Sequence, residues 1–338
     1  MNVTYPETIW EYSPESEAQR VVFVAQMIQS YFYQIKGFLV LPDIATDSVN
    51  TIYFPNLPIV HHPYFWKKVF EEGQVEGNIS RDIIEQIKTE LPKVSPPTLI
   101  QSQWDKVAPE FWNHLQTYLP EVSAKINKLV IRQTAYGSRA SGVRKKKSQP
   151  GEVTIYLRFD AKLSHIPAAI FIATLDNIHK NGLLYGFNWE ERQAIGDFLL
   201  CHTSLAGLFP KHESTILAVR KEPTLELRNQ SRAFLTSLGF PPKRLFTVDD
   251  TRQVAINEER LPLRPKEKEV MSLLIEKRNQ IVSANDIAER LWAEEAQSKY
   301  SLYAISKVVE RLRKQVQAHG IFPGIIETRR GQGFVLND

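Results

Sequence analysis

The chain carries one cysteine, Cys201, in 338 residues, so no disulfide can form within it. That scarcity points to a reducing, cytoplasmic setting and removes the zinc sites that need several thiolates. Long apolar runs are missing too. The longest mostly apolar stretch, 166–175 (IPAAIFIATL), has ten residues and contains a proline, about half of what a membrane helix needs, so no membrane partner is expected. Four glutamates and no basic residue precede Arg20, the reverse of a secretory leader. No unit recurs at about 20–50 residues, which excludes solenoids and propellers. A strong net charge is also absent: 42 Lys and Arg against 38 Asp and Glu leave only +4. The total therefore says nothing about nucleic acid, and the placement of the charges becomes the question.

With 43% hydrophobic and 24% charged residues, the chain has an ordinary globular composition and a length suited to about two domains. Twenty prolines punctuate it. Residues 1–18 are expected as an exposed lead-in and 20–35 as a helix, followed by a strand at 37–41 (GFLVL). Residues 51–66 suggest irregular structure around an aromatic cluster. The stretch 91–97 (LPKVSPP) is a linker, because Pro96 and Pro97 cannot continue a helix. Beyond it the pattern predicts a helix at 104–119, strands at 128–132 and 153–159, and helices at 167–181, 189–208 and 224–238. A short strand is expected at 215–219. Gly239, Pro241 and Pro242 mark a sharper boundary. These breaks divide the chain into an N-terminal α+β subdomain at 1–95, a central α+β domain at 96–240 and a small module at 246–338.

The last module is the most legible. Residues 254–256 and 261–263 suggest a hairpin. Pro265 opens an amphipathic helix with early glutamates at its positive end. Ser283 and Asp286 form a capping-box pattern ahead of a second helix ending near Trp292. A third helix, about 301–318, has an apolar stripe of Ile305, Val308, Val309, Leu312 and Val316. Lys307, Arg311, Lys314 and, further round, Arg313 point away from that stripe. Two strands then frame a tip containing Arg329 and Arg330. Residues 246–295 hold 8 basic and 11 acidic residues, whereas 296–330 hold 7 basic and 2 acidic. The surplus cations sit on the third helix and the tip, where arginine and lysine can reach guanine edges, a narrow minor groove and phosphates.

The segments LPLRPKEKEVMSLLIEKRNQIVSANDIAERLW, ISKVVERLRKQV and IIETRRGQGFVL, in that order, resemble the OmpR/PhoB-type winged-helix DNA-binding domain. The resemblance covers about a quarter of the chain. It implies a winged helix-turn-helix fold, double-stranded DNA as partner, binding to repeated half-sites as a homodimer, and an RNA polymerase contact through the loop 293–299. It also implies roles for particular residues. Arg311 matches a base-reading arginine, Arg330 a wing arginine that enters the minor groove, and Thr328 and Trp292 backbone-contacting positions. Lys307, Val308 and Glu310 depart from the family pattern. Glu310 beside DNA would either repel phosphate or accept from a cytosine N4. The fold class expected is therefore α+β, a mixed α/β sensor-like region followed by a winged helix-turn-helix domain.

A receiver domain, the usual companion, is not expected. It needs an early acidic pair, a phospho-accepting aspartate after a strand and a late lysine, and residues 1–240 lack that arrangement. Instead KLVIRQTAYGSRASGV, VTIYLRF and LSHIPAAIFIATLDNIH resemble the YgjP/SprT-like zincins in outline. The positions of the zinc helix read Leu175, Asp176, Asn177, Ile178 and His179, so one metal histidine is leucine and the base is aspartate. Catalytic zinc needs about three ligands and a carboxylate. The resemblance thus implies a degenerate relative without peptidase activity, and neither metal nor cofactor is expected. His179 and Asp176 read as helix-surface polar residues. His61 and His62, among aromatics, read as packing residues, since adjacent side chains diverge. Cys201 and His202 cannot face one another on a helix, and Cys201 is expected to be buried. Residues 132–147 hold six basic residues and no acid, and read as a mobile basic loop able to meet an anion. The alternatives to a transcription regulator are a zincin-like peptidase fused to a DNA reader and a protein-interaction scaffold.

Overall fold

Residues 7–11 are not part of a lead-in: Glu7–Glu11 form a strand that runs parallel to Lys128–Thr134, and its half-buried residues show no alternation that the sequence could announce. The computed structural model describes residues 5–42, 51–72, 81–143, 151–175, 177–180, 183–209, 212, 223–256, 259–296 and 300–338. The chain forms two units, residues 1–27 with 40–239 and residues 28–39 with 240–338. The expected division at 95–96 falls inside the first unit. The predicted strand at 215–219, residues 144–147 of the basic stretch and residues 297–299 of the polymerase loop lie outside the described residues.

The first unit is built on a four-stranded sheet. Lys128–Thr134 lies parallel to both Glu7–Glu11 and Glu152–Arg158, and Ala140–Val143 pairs antiparallel to the latter. Part of the expected basic loop is therefore strand. The helix Leu99–Tyr118 packs Trp104, Phe111 and Leu115 against Leu129, Ile131, Ile155 and Leu157 of the sheet. The helix His165–Thr174 adds Ile166, Ile170 and Phe171 to the same core. Each such side chain contributes about 1.5–3 kcal/mol on leaving water. Helix Pro14–Gln29 starts at a reciprocal serine cap, with the Ser16 amide donating to Ser13 Oγ at 3.0 Å and the Ser13 amide to Ser16 Oγ at 3.1 Å.

The helix expected over 167–181 stops at Thr174. Asn177–Lys180 is a strand, paired antiparallel with Leu183–Gly186. The zincin outline therefore lacks a helix at 177–180, where its second zinc position, His179, lies on a strand. Cys201 is exposed rather than buried. Desolvation, and then Asp197, raise its thiol. His61 is a hydrogen-bonded residue, with Nε2 2.6 Å from Asn56 Oδ1 and Nδ1 3.2 Å from the Ser237 carbonyl.

In the second unit Phe246–Val248, Val254–Ile256 and Glu259–Arg260 form an antiparallel sheet. The hairpin strand is thus 259–260, not 261–263, where Leu261 is buried instead. Three helices follow, Pro265–Glu276, Ala284–Trp292 and Leu302–Ala318, and then the paired strands Ile326–Arg329 and Gly333–Leu336. The Ser283–Asp286 box forms as the sequence predicts, with the Asp286 amide donating to Ser283 Oγ at 3.0 Å and the Ser283 amide to Asp286 Oδ2 at 2.8 Å. Val282 bridges to Phe334 by two backbone bonds of 2.8 and 2.9 Å and extends the hairpin to three segments. All five residues of the predicted stripe, Ile305 to Val316, are buried.

Residues 28–39 join this unit, which nothing in their sequence foretells. The expected helix 20–35 breaks at Tyr31, whose φ of 56° is left-handed. The short helix Phe32–Ile35 follows. The Phe322 amide then donates to the Ile35 carbonyl at 2.8 Å, and Lys36 Nζ to the Gly320 carbonyl at 2.9 Å. Gln34 bonds Lys243 in both directions, Nε2 to its carbonyl at 2.6 Å and Oε1 from its amide at 3.1 Å. Gly37 has φ of +74°, and a Cβ there would run into the Phe322 ring.

Candidate nucleic-acid interface

The third helix owes its exposed face to its buried one. Burying residues 305, 308, 309, 312 and 316 turns positions 303, 307, 310, 311 and 314 outward. Tyr303, Lys307, Glu310 and Lys314, spaced four, three and four apart, form one line along that face. Lys307 Nζ lies 2.7 Å from Glu310 Oε2 and 5.7 Å from the Tyr303 ring centre. Lys314 Nζ lies 3.1 Å from Glu310 Oε1, with 71% of its side chain exposed. Hydrogen bonds from both lysines hold the Glu310 carboxyl down to about 2. It is therefore ionised wherever the protein works.

Arg311 is half-exposed, and its Nε sits 3.1 Å from Glu267 Oε1. Glu267 itself is buried and caps its own helix, Oε2 accepting from the Arg264 amide at 3.0 Å. It anchors Arg311 from behind, a role the sequence hinted at only by placing an acid in the first helical turn.

Arg313 is turned toward the protein. Its Nε and Nη2 donate to the Ile326 carbonyl at 2.8 and 2.6 Å, and Nη2 donates to Thr328 Oγ1 at 2.7 Å. Both Arg313 and Thr328 were predicted as DNA contacts, and here they clasp the helix to the hairpin. Arg329 is likewise engaged, 2.6 Å from Glu327 Oε1, whose side chain is fully buried. Arg330 is exposed at the tip beside Gly331, whose φ is +73°. Trp292 is half-buried against the core, with Lys266 Nζ 5.6 Å from its ring centre. The eight predicted residues thus separate into an outward set (Lys307, Arg311, Lys314, Arg330) and a set held by the protein (Arg313, Thr328, Arg329, Trp292).

A three-helix core, with a helix presenting cations and a two-stranded wing clasped beside it, defines a winged helix-turn-helix domain. Residues 258–336 match the family model described as transcriptional regulatory protein, C terminal, and form an OmpR/PhoB-type DNA-binding domain of a transcription regulator. The DNA-binding domain of response regulator AdeR, solved in complex with an intercistronic region, is 22% identical over 29% of this chain and 97% of its own, with a TM-score of 0.25. The C-terminal domain of the nisin resistance regulator NsrR is 27% identical over 28% of this chain and 93% of its own, with a TM-score of 0.23. The Klebsiella pneumoniae RstA DNA-binding domain, in complex with the RstA box, is 20% identical over 28% of this chain and 94% of its own, at 0.23. No curated protein matches the chain. Among the described residues, no helix is long and apolar enough to cross a membrane.

Proposed function

We propose that the chain is a cytoplasmic, sequence-specific transcription regulator that reads duplex DNA through the helix Leu302–Ala318 and the wing. Residues 1–240 serve it as a non-receiver sensor or oligomerisation region. The observation that carries this reading is the Arg313 clasp. It holds helix and wing as one body, so that Lys307, Arg311 and Lys314 meet a major groove while Arg330 meets the adjacent minor groove. Binding to repeated half-sites as a homodimer follows from the same reading, as does an RNA polymerase contact by the loop 293–299. The sheet of the first unit has four strands, Glu7–Glu11, Lys128–Thr134, Glu152–Arg158 and Ala140–Val143 in spatial order, and supports a partner other than the five-stranded flavodoxin-like receiver, whose order is 2-1-3-4-5.

The test is selection of bound DNA from a random pool, followed by binding measurements on the selected site. Arg311→Ala is expected to weaken specific binding by about 1–3 kcal/mol through a lost base contact. Arg330→Ala should weaken it by removing the wing contact. If both variants bind as the wild type does, the docking is wrong.

A further inference from the structure

The first unit holds a cleft of about 400 Å³ between the helix Leu99–Tyr118 and the turn that leads into the helix His165–Thr174. That volume lies within the range of small-molecule sites. The helix turns Trp104, Phe111 and Leu115 into the core, which leaves Val107 half-buried at the edge of that face and Lys106 exposed. Val107, Leu163, Leu208 and Phe209 form an apolar wall, of which Phe209 is buried. Of the side chains lining the cleft, only Lys106 and Lys162 are charged, and both are cations. Both are exposed, so the positive charge stands at the mouth and the apolar wall lies deeper.

Ser164 lines the same cleft and is only 5% exposed. Its hydroxyl does not cap the helix it precedes, and it has no hydrogen-bond partner among the described residues. A buried hydroxyl ordinarily has one. The backbone around it is already engaged. The His165 and Ile166 amides donate to the Lys162 and Leu163 carbonyls at 3.0 and 3.2 Å, the Ala168 amide donates to the Ser164 carbonyl at 3.4 Å, and Pro167 has no N–H. The cleft therefore lacks the cradle of free amides that a phosphate favours. What it offers is one hydroxyl donor, two ammonium groups and the positive end of a ten-residue helix. These suit a singly charged anion. The apolar wall suits a hydrocarbon body attached to it.

We propose that this cleft binds a small amphipathic carboxylate, its hydrocarbon body against Val107, Leu163, Leu208 and Phe209 and its carboxylate toward Lys106, Lys162 and the Ser164 hydroxyl. The site gives a ligand class to the sensor role proposed for residues 1–240, and rests on that reading only for its consequence at DNA. The probe is octanoate, below the concentration at which it forms micelles, titrated into the full-length chain and followed by ligand-observed NMR. Octan-1-ol, octylammonium and inorganic phosphate are titrated in parallel. Octanoate is expected to bind saturably and more tightly than all three. Lys106→Glu, an exposed substitution, should weaken it at least about fivefold. Ser164→Ala, which removes a hydroxyl that holds nothing in the fold, should weaken it about tenfold. Thermal melts of both variants should match the wild type. No saturable octanoate binding, equal binding of octan-1-ol and octylammonium, or octanoate affinity unchanged in both variants would each overturn the inference. DNA affinity is then measured with and without octanoate. Octanoate binding that leaves DNA affinity unchanged would keep the site and overturn the sensor role instead.

Discussion

His165 shows how far a residue's surroundings set its chemistry. Its Nδ1 accepts from the Lys162 amide at 2.8 Å. Burial, then the charges of Arg139, His212 and Lys162, push it from the ordinary 6.5 to about 3, against the opposing pull of Asp160. The unfolded chain takes up a proton near pH 6.5, whereas the folded chain does not until about 3. Stability from this group is present above pH 6.5 and is lost as the pH falls through that window. The expected slope is up to about 1.4 kcal/mol per pH unit. Denaturant melts at pH 7, 6 and 5 should show it in the wild type and less of it in His165→Gln. Equal slopes would refute the assignment. Nothing in the local sequence singles out His165, because its neighbours Arg139 and His212 are distant in the chain. Glu310, by contrast, was visible as an acid among cations. Its pairing with two lysines follows from i,i+3 and i,i+4 spacing alone.

At the scale of elements, local rules succeeded where caps and periodicity agreed. The Ser283–Asp286 box and the apolar stripe from Ile305 to Val316 formed as read. They failed at 167–181, where the helix ends at Thr174 and Asn177–Lys180 is a strand, and at Tyr31, where a left-handed residue split another. Arg313 was legible as a basic position on the third helix but not as a clasp, since Ile326 and Thr328 reach it only in the folded hairpin. Arg313→Ala should destabilise the second unit by about 1–3 kcal/mol, because the bonds lost involve a charged donor. It should also weaken DNA binding in proportion to the wing's contribution. Thermal melts and binding measured together check this. A variant that melts as the wild type does but binds DNA more weakly would make Arg313 a direct contact instead.

At the scale of the molecule, the second unit is composite, with residues 28–39 and 240–338 forming one packed body. A fragment of 240–338 alone should therefore melt at a lower temperature than the same unit in the full chain. The Phe322 amide should exchange with solvent faster in the fragment, because its acceptor, the Ile35 carbonyl, is gone. Equal protection of that amide in both forms would show that the segment adds nothing. The sequence by itself determined the C-terminal domain, since caps, a helical stripe and a basic tip all act over a few residues and their order is specific. Only the tertiary structure decided that residues 7–11 are a sheet strand, that Glu267 anchors Arg311, and that Ile28–Leu39 completes the DNA-binding unit. Each of these contacts joins residues that lie far apart along the chain, and a local pattern carries no record of a partner it meets only on folding.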